Sequence, residues 1–175
     1  MTELTLGSLF DGSGGFPLAG KMCGITPVWA SEIEPYPMRV TALRFPEMKQ
    51  LGDVTKINGA EIEPVGIITF GSPCQDLSIA GQQKGLKDGE RSSLFFEAIR
   101  IIKEMRSKDE MDGRAGLDVR PRFAVWENVM GAFSSNNGDD FRAVLEAFVR
   151  VVEPDVHVLR PKGGGMATCW VRAGR

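Results

Sequence analysis

The sequence predicts an α/β fold, a largely parallel sheet with flanking helices, and three observations carry that prediction. Short apolar runs rich in β-branched and aromatic residues alternate with segments of helical period. The first run leads straight into a glycine-rich turn, Asp11-Gly12-Ser13-Gly14-Gly15. The 175 residues are 42% hydrophobic and 25% charged, which is enough for one core and too apolar for a disordered segment.

The elements follow in chain order. Leu4 to Phe10 reads as the first strand, and a short helix runs from about Pro17, where proline suits a first helical position, to Cys23, with Gly24 as its stop. Val28-Trp29-Ala30 is a short strand ending at Ser31-Glu32. Pro35 and Pro37 open a helix that runs to about Phe45, before Pro46. Val65 to Phe70 is the clearest buried strand. The stretch from Gly71 to about Arg91 is a long loop of the kind that carries function. Leu94, Ala98, Ile101, Ile102 and Met105 fall on one helix face. Residues 106–120, charged and glycine-containing, are expected to form a surface loop. Phe123 to Trp126 is a further strand. Phe141, Val144, Leu145, Phe148, Val149 and Val152 mark the last helix, with Asp139 or Asp140 as its cap. One domain over residues 1–154 and a loop-like tail over 155–175 are expected, with no internal repeat.

Composition narrows the function. Cys23, Cys74 and Cys169 are too far apart for a zinc pattern, and His157 is the single histidine, so a metal site or a histidine-based triad is not expected. No run is long and apolar enough to span a bilayer, and Met1-Thr2-Glu3 does not open a signal peptide, so a cytoplasmic setting is expected. A net charge of −2 does not by itself point to nucleic acid.

The chemistry-bearing residues stand at the carboxyl ends of strands or turns, where open parallel sheets gather ligands. They are Phe10 to Gly15, Glu32, Asp53, Pro73-Cys74-Gln75 and Glu127-Asn128. The glycine turn is not the dinucleotide fingerprint, because its third glycine would fall at Pro17. Glu32 stands at the distance from Gly12 at which an acid ending strand two binds a ribose hydroxyl, so an adenosine-containing ligand is indicated. Cys74, held by Pro73 and followed by the long loop, is placed as a nucleophile that needs activation. Glu127 follows a largely apolar strand and reads as a carboxyl in a partly dry pocket, with a raised pKa, able to share a proton. Cysteine plus carboxyl without histidine fits addition to an electron-poor ring better than proteolysis.

In order and spacing, Asp11-Gly12-Ser13-Gly14-Gly15-Phe16, Ser31-Glu32, Gly52-Asp53-Val54, Gly71-Ser72-Pro73-Cys74-Gln75-Asp76-Leu77-Ser78 and Glu127-Asn128-Val129 resemble the motifs of C5-cytosine DNA methyltransferases, over almost the whole chain to about Val152. The resemblance implies a Rossmann-like S-adenosylmethionine-dependent fold and methyl transfer to a cytosine flipped out of double-stranded DNA. It assigns Cys74 to attack on C6 and Glu127 to hydrogen bonding and protonation at N3. Pro73 and Gln75 frame the nucleophile. Phe10, Gly12 and Gly14 line the cofactor, Glu32 holds its ribose, and Asp53 with Val54 meets the adenine. Ile33 stands where the family commonly has an aromatic residue, which weakens adenine stacking. Ser78, Lys84 and Arg91 are assigned to DNA phosphates.

The family's arginine-bearing strand, target-recognition domain and final cofactor segment have no match here. The expectation is therefore an N-terminal catalytic portion, C-terminally incomplete, either truncated or completed by a separate chain that supplies the recognition domain, in a bacterial or phage setting. A non-catalytic remnant that binds cofactor only and an RNA cytosine-5 methyltransferase are the alternatives. A nicotinamide or flavin oxidoreductase is disfavoured by Pro17 and the Pro-Cys-Gln loop.

Overall fold

The structure is a computed structural model that describes residues 4–73, 94–134 and 138–159. The chain divides into two compact units, Met1–Ser72 with Arg100–Glu127, and Pro73–Ile99 with Asn128–Arg175.

The first unit holds a parallel sheet of five strands: β1 (Thr5–Leu9), β2 (Thr26–Ser31), β3 (Lys49–Gln50), β4 (Ile67–Phe70) and β5 (Phe123–Trp126), in the order β3-β2-β1-β4-β5. Helices α1 (Gly15–Met22), α2 (Pro35–Arg44) and α3 (Leu94–Met111, of which residues 94–99 belong to the second unit) alternate with the strands. From β1 the chain builds outward to β2 and β3, then returns to lay β4 against the other side of β1. The order therefore reverses between β1 and β4, and the crevice beyond their carboxyl ends is where such sheets bind ligands.

The central strands are apolar because both of their faces are covered. Leu9, Ala30, Ile68 and Phe70 have no exposed surface. Each large apolar side chain buried this way stabilises the fold by about 1.5–3 kcal/mol. Gly7 pairs with Trp29, and the indole crosses where a side chain at position 7 would stand: a Cβ there would meet Trp29 Cζ2 at 2.1 Å. The same indole donates its Nε1–H to the Glu63 carbonyl at 2.8 Å.

On α3 the buried stripe of Ile101, Ile102 and Met105 continues to Asp109, one turn on. The helix therefore runs to Met111, and the loop expected from residue 106 begins only after it. An acid in the stripe interrupts the apolar period without interrupting the helix. Asp109 accepts hydrogen bonds from the Arg120 backbone N–H at 2.8 Å and from Arg120 Nη2 at 2.7 Å, and Arg114 Nε lies 3.4 Å away. Burial pushes its pKa up, but the Arg120 hydrogen bonds and charge, helped by Arg114, hold it below the ordinary value. This pair anchors the chain just ahead of β5. The short β3, with no apolar residue, is absent from the sequence reading; it exists through its pairing with Trp29 and Ala30.

The second unit contains α4 (Gly131–Ser134) and α5 (Asp139–Val149). Phe95 is fully buried and meets Phe96 and Phe148 edge-on, and Phe133 meets Phe141 at 4.8 Å between centroids. Gly138, at φ 88°, is the N-cap of α5, so neither Asp139 nor Asp140 caps it. Both acids lie in its first turn, where the helix dipole favours negative charge. The helix ends at Val149, three residues before the expected limit. Beyond it, Glu146 accepts from the Val158 N–H at 3.1 Å and pairs with Arg150 and His157. No helix among the described residues is long and apolar enough to cross a membrane.

Candidate functional site

The first unit brings the ends of β1, β2 and β3 together through a continuous set of hydrogen bonds. The Asp11 N–H donates to the Ser31 carbonyl at 3.0 Å, the Ser31 hydroxyl donates to the Gly52 carbonyl at 2.6 Å, and the Leu51 N–H donates to the Ala30 carbonyl at 2.8 Å. The strand ends are thus fixed side by side, and the residues that follow them converge.

After β1 the backbone turns through three left-handed residues, Phe10 at φ 53°, Gly12 at 55° and Gly14 at 87°. Gly14 has no alternative: a Cβ there would lie 2.9 Å from Thr41 Cγ2 and 3.0 Å from the Phe45 ring. Gly12 differs, because a Cβ at that position would meet nothing within 4 Å. Its backbone borders open space. Phe10 pays the steric penalty of a side chain in this region, of order 1–3 kcal/mol, which marks a conformation imposed by its surroundings.

Glu32 closes the turn from β2. Its Oε2 accepts the Gly12 N–H at 2.8 Å, and its Oε1 accepts the N–H groups of Ile33 at 2.7 Å and Glu34 at 3.0 Å. Oε1 is thereby filled, whereas Oε2 keeps capacity for a further donor. Beside it the Ile33 side chain is 65% exposed, an apolar surface at the strand end. Asp53 caps the 3-10 turn Val54–Lys56, accepting from the Thr55 N–H at 3.0 Å and the Thr55 hydroxyl at 2.8 Å. The Thr55 bonds hold its pKa below the usual carboxylate value. The Val54 side chain is buried, so only its backbone is available to a ligand. Arg100, paired with Glu104, reaches the carbonyls of Ile57 at 2.8 Å and Val54 at 3.3 Å and fixes this turn to α3.

One residue of the glycine turn, Asp11, was given no role of its own in the sequence reading. Asp11 is only 6% exposed, and neither carboxylate oxygen meets a hydrogen-bond partner among the described residues. The Ser8 and Thr69 hydroxyls, on laterally paired residues of β1 and β4, are likewise buried and unpartnered. Burial raises the Asp11 pKa to about 6; the nearby Ser8 hydroxyl offsets part of this, and the Glu32 charge adds to it. An acid directly after a buried strand, between Phe10 and Gly12, was the available signal.

On the other side of the reversal, the Glu127 N–H donates to the Phe70 carbonyl at 3.0 Å, and its carboxylate lies over Gly71, where a Cβ would come within 2.9 Å of Oε2. Gly71 is thus the residue that leaves room for this acid. Glu127 is exposed, whereas the sequence predicted a partly dry pocket. Trp126 Nε1 donates to the Ser72 hydroxyl at 3.1 Å and joins the ends of β4 and β5. Pro73 is exposed, the first residue of the second unit. Cys74, Gln75, Ser78, Lys84 and Arg91 lie outside the described residues.

The chain is similar to known proteins. The model of the C-5 cytosine-specific DNA methylase family matches residues 4–152. A DNA N-6-adenine-methyltransferase of Escherichia phage P1 is 37% identical over 97% of this chain, but over only 22% of its own length. The type II methyltransferase M.HhaI of Haemophilus parahaemolyticus is 35% identical over 82% of this chain and 39% of its own length. Among solved structures, a protein encoded within an E. coli prophage and named a DNA modification methyltransferase superposes with a TM-score of 0.59 at 22% identity, over 87% of this chain and 38% of that one, which shows the shared fold. This chain thus spans well under half the length of the relatives it matches. The adenine in the phage P1 protein's name belongs to a polypeptide that is mostly unmatched here, whereas the family model runs through residues 4–152 of this sequence. By that match, and by the identity to M.HhaI, the chain belongs to the C-5 cytosine-specific DNA methylase family.

Proposed function

We propose that this chain is the cofactor-binding and nucleophile-bearing portion of a DNA (cytosine-5)-methyltransferase. The observation that carries the proposal is the Glu32–Gly12 hydrogen bond, which sets a carboxylate with spare acceptor capacity against a glycine turn bordering open space.

The residues present fit S-adenosylmethionine. Glu32 would hold the ribose hydroxyls, Asp53 and the Val54 backbone would meet the adenine edge, and Phe10 with the exposed Ile33 would border its ring. Asp11, buried with no hydrogen-bond partner among the described residues, would receive positive charge from the methionine portion. When bound, this cofactor supplies an electrophilic methyl group.

The chain's own residues do the rest of the proposed chemistry on a cytosine taken out of double-stranded DNA. The Cys74 thiolate adds to C6, and its sulfur leaves again when the C5 proton is lost. Glu127 hydrogen-bonds and protonates N3, so that negative charge does not accumulate on the ring as the carbon–sulfur bond forms. Pro73 and Gln75 flank the nucleophile. Ser78, Lys84 and Arg91 supply phosphate contacts, whose strength falls with salt. Target recognition belongs to the part of the relatives that this sequence does not match. The setting proposed is the cytoplasm of a bacterium or of a phage-infected cell.

Two measurements test this reading. Titration calorimetry with S-adenosylhomocysteine is expected to show saturable binding that Glu32→Ala weakens about 10-fold or more, the scale of a lost hydrogen bond to a charged group. A duplex carrying 5-fluorocytosine, with S-adenosylmethionine and the chain alone or joined by any chain encoded beside it, is expected to form an adduct that Cys74→Ser abolishes. Absence of ligand binding would overturn the cofactor assignment, and absence of an adduct despite binding would overturn the catalytic one.

A further inference from the structure

The strands β4 and β5 stay in register to their carboxyl ends, where Phe70 pairs with Trp126. There the Glu127 N–H donates to the Phe70 carbonyl at 3.0 Å, and the Trp126 Nε1–H donates to the Ser72 hydroxyl oxygen at 3.1 Å. Ser72 is only 4% exposed, and a hydrogen bond so shielded from water is stronger than one at the surface. The indole nitrogen is a donor only, on a side chain with few rotatable bonds, so the contact has one direction and little freedom. Gly71, the residue before Ser72, leaves room for the Glu127 carboxylate: a Cβ there would come within 2.9 Å of Oε2. In the sequence Ser72 stands two residues before Cys74, and Trp126 directly before Glu127.

We propose that Ser72 and Trp126 are positioning residues for methyl transfer, whose hydrogen bond fixes the point where the Cys74 segment leaves β4 against the point where Glu127 leaves β5. Neither side chain reacts. The proposal rests on the reading that Cys74 and Glu127 act on one cytosine. Sulfur adds at C6 while N3 of the same ring takes a proton, so the two groups must be held to one geometry although they follow different strands. Strand pairing itself does not require the contact. The register from Ile67 with Phe123 to Phe70 with Trp126 joins the strands along their length, and the Asp109 bond to the Arg120 N–H anchors the chain ahead of β5. The indole therefore adds restraint at the carboxyl ends alone, where the chemistry is proposed. A misplacement there of about 1 Å slows a reaction on the order of 100-fold.

The rate of adduct formation on a duplex carrying 5-fluorocytosine tests the proposal, with S-adenosylmethionine and the chain alone or joined by any chain encoded beside it. At saturating duplex, Ser72→Ala and Trp126→Phe are each expected to slow the adduct step by about 10- to 100-fold. The duplex concentration at half-maximal rate and the calorimetric affinity for S-adenosylhomocysteine are expected to stay at their wild-type values. The double variant is expected to be no slower than the slower single one, because both substitutions remove one bond. Rates are compared at a temperature where thermal melts show every variant folded. In the resting chain, hydrogen exchange at the Trp126 Nε1–H is expected to accelerate in Ser72→Ala, a readout that needs no turnover.

An exchange rate at Trp126 Nε1–H unchanged in Ser72→Ala would overturn the contact and the proposal with it. Folded single variants as fast as wild type, effects that multiply in the double variant, or rates lost only through weaker duplex or cofactor binding would overturn the proposal and leave the catalytic reading standing. A wild-type chain that forms no adduct would overturn that reading first, and the positioning role with it.

Discussion

The Glu32 carboxylate accepts the Gly12 N–H at 2.8 Å and so ties the end of β2 to the turn that leaves β1. The same group that would bind a ribose therefore also holds the glycine turn in shape. Glu32→Gln retains one acceptor and is expected to weaken S-adenosylhomocysteine binding less than Glu32→Ala, which loses every bond. Calorimetry on the two variants, with hydrogen exchange at Gly12, separates ligand contact from turn support: exchange at Gly12 should accelerate in Glu32→Ala even without ligand.

Asp11 has a pKa raised to about 6, above the ordinary carboxylate value of 3.8. Because the folded value is the higher one, the folded state binds the proton more tightly. Stability from this residue is full below about pH 4 and is lost as pH rises through about 6. Asp11→Asn is therefore expected to melt higher than the wild type at pH 7.5, by about 1–2 kcal/mol once solvent screening is allowed for, with the difference shrinking toward pH 4. If Asp11 receives the cofactor's positive charge, the same variant binds S-adenosylhomocysteine more weakly. Thermal melts and calorimetry across pH 4–8 check both outcomes.

The glycines of the first turn separate space from conformation. Gly14→Ala meets Thr41 and Phe45 and adopts a left-handed φ, and is expected to cost about 2–4 kcal/mol. Gly12→Ala meets no neighbour and is expected to cost only about 1 kcal/mol of stability, while its methyl group enters the open space and weakens ligand binding. Denaturant unfolding against calorimetry distinguishes the two.

Asp109 carries the anchor ahead of β5. Asp109→Ala leaves Arg120 without its carboxylate and is expected to destabilise the chain by about 2–4 kcal/mol, less than a fully buried pair because Arg120 is partly exposed. The Asp109 pKa is lowered in the folded state, so its stabilisation is present above about pH 4 and is lost as pH falls through the lowered value. Urea unfolding of wild type and variant should therefore converge on acidification.

By itself the sequence determined the alternation of strands and helices, because period and turn chemistry are local. It also determined the identity of Glu32, Asp53, Cys74 and Glu127 as the residues to watch, because their order and spacing are those of one family's motifs. What it read wrongly or missed depended on partners distant in the chain. Residues 106–111 looked like loop because the stretch is charged and leads into glycines, and the guanidinium groups of Arg120 and Arg114 make burial of the acid at 109 tolerable. The two-residue β3 has no pattern of its own and exists through β2. Glu127 looked like a carboxyl in a dry pocket because an apolar strand precedes it, yet among the described residues that strand is the last of the sheet and Glu127 is exposed. Asp11 looked like a turn residue, and only the fold buries its carboxylate near Ser8 with no hydrogen-bond partner among the described residues. Which strand becomes an edge and which buried acid is left unpaired are properties of tertiary neighbours, and no local pattern in the chain encodes them.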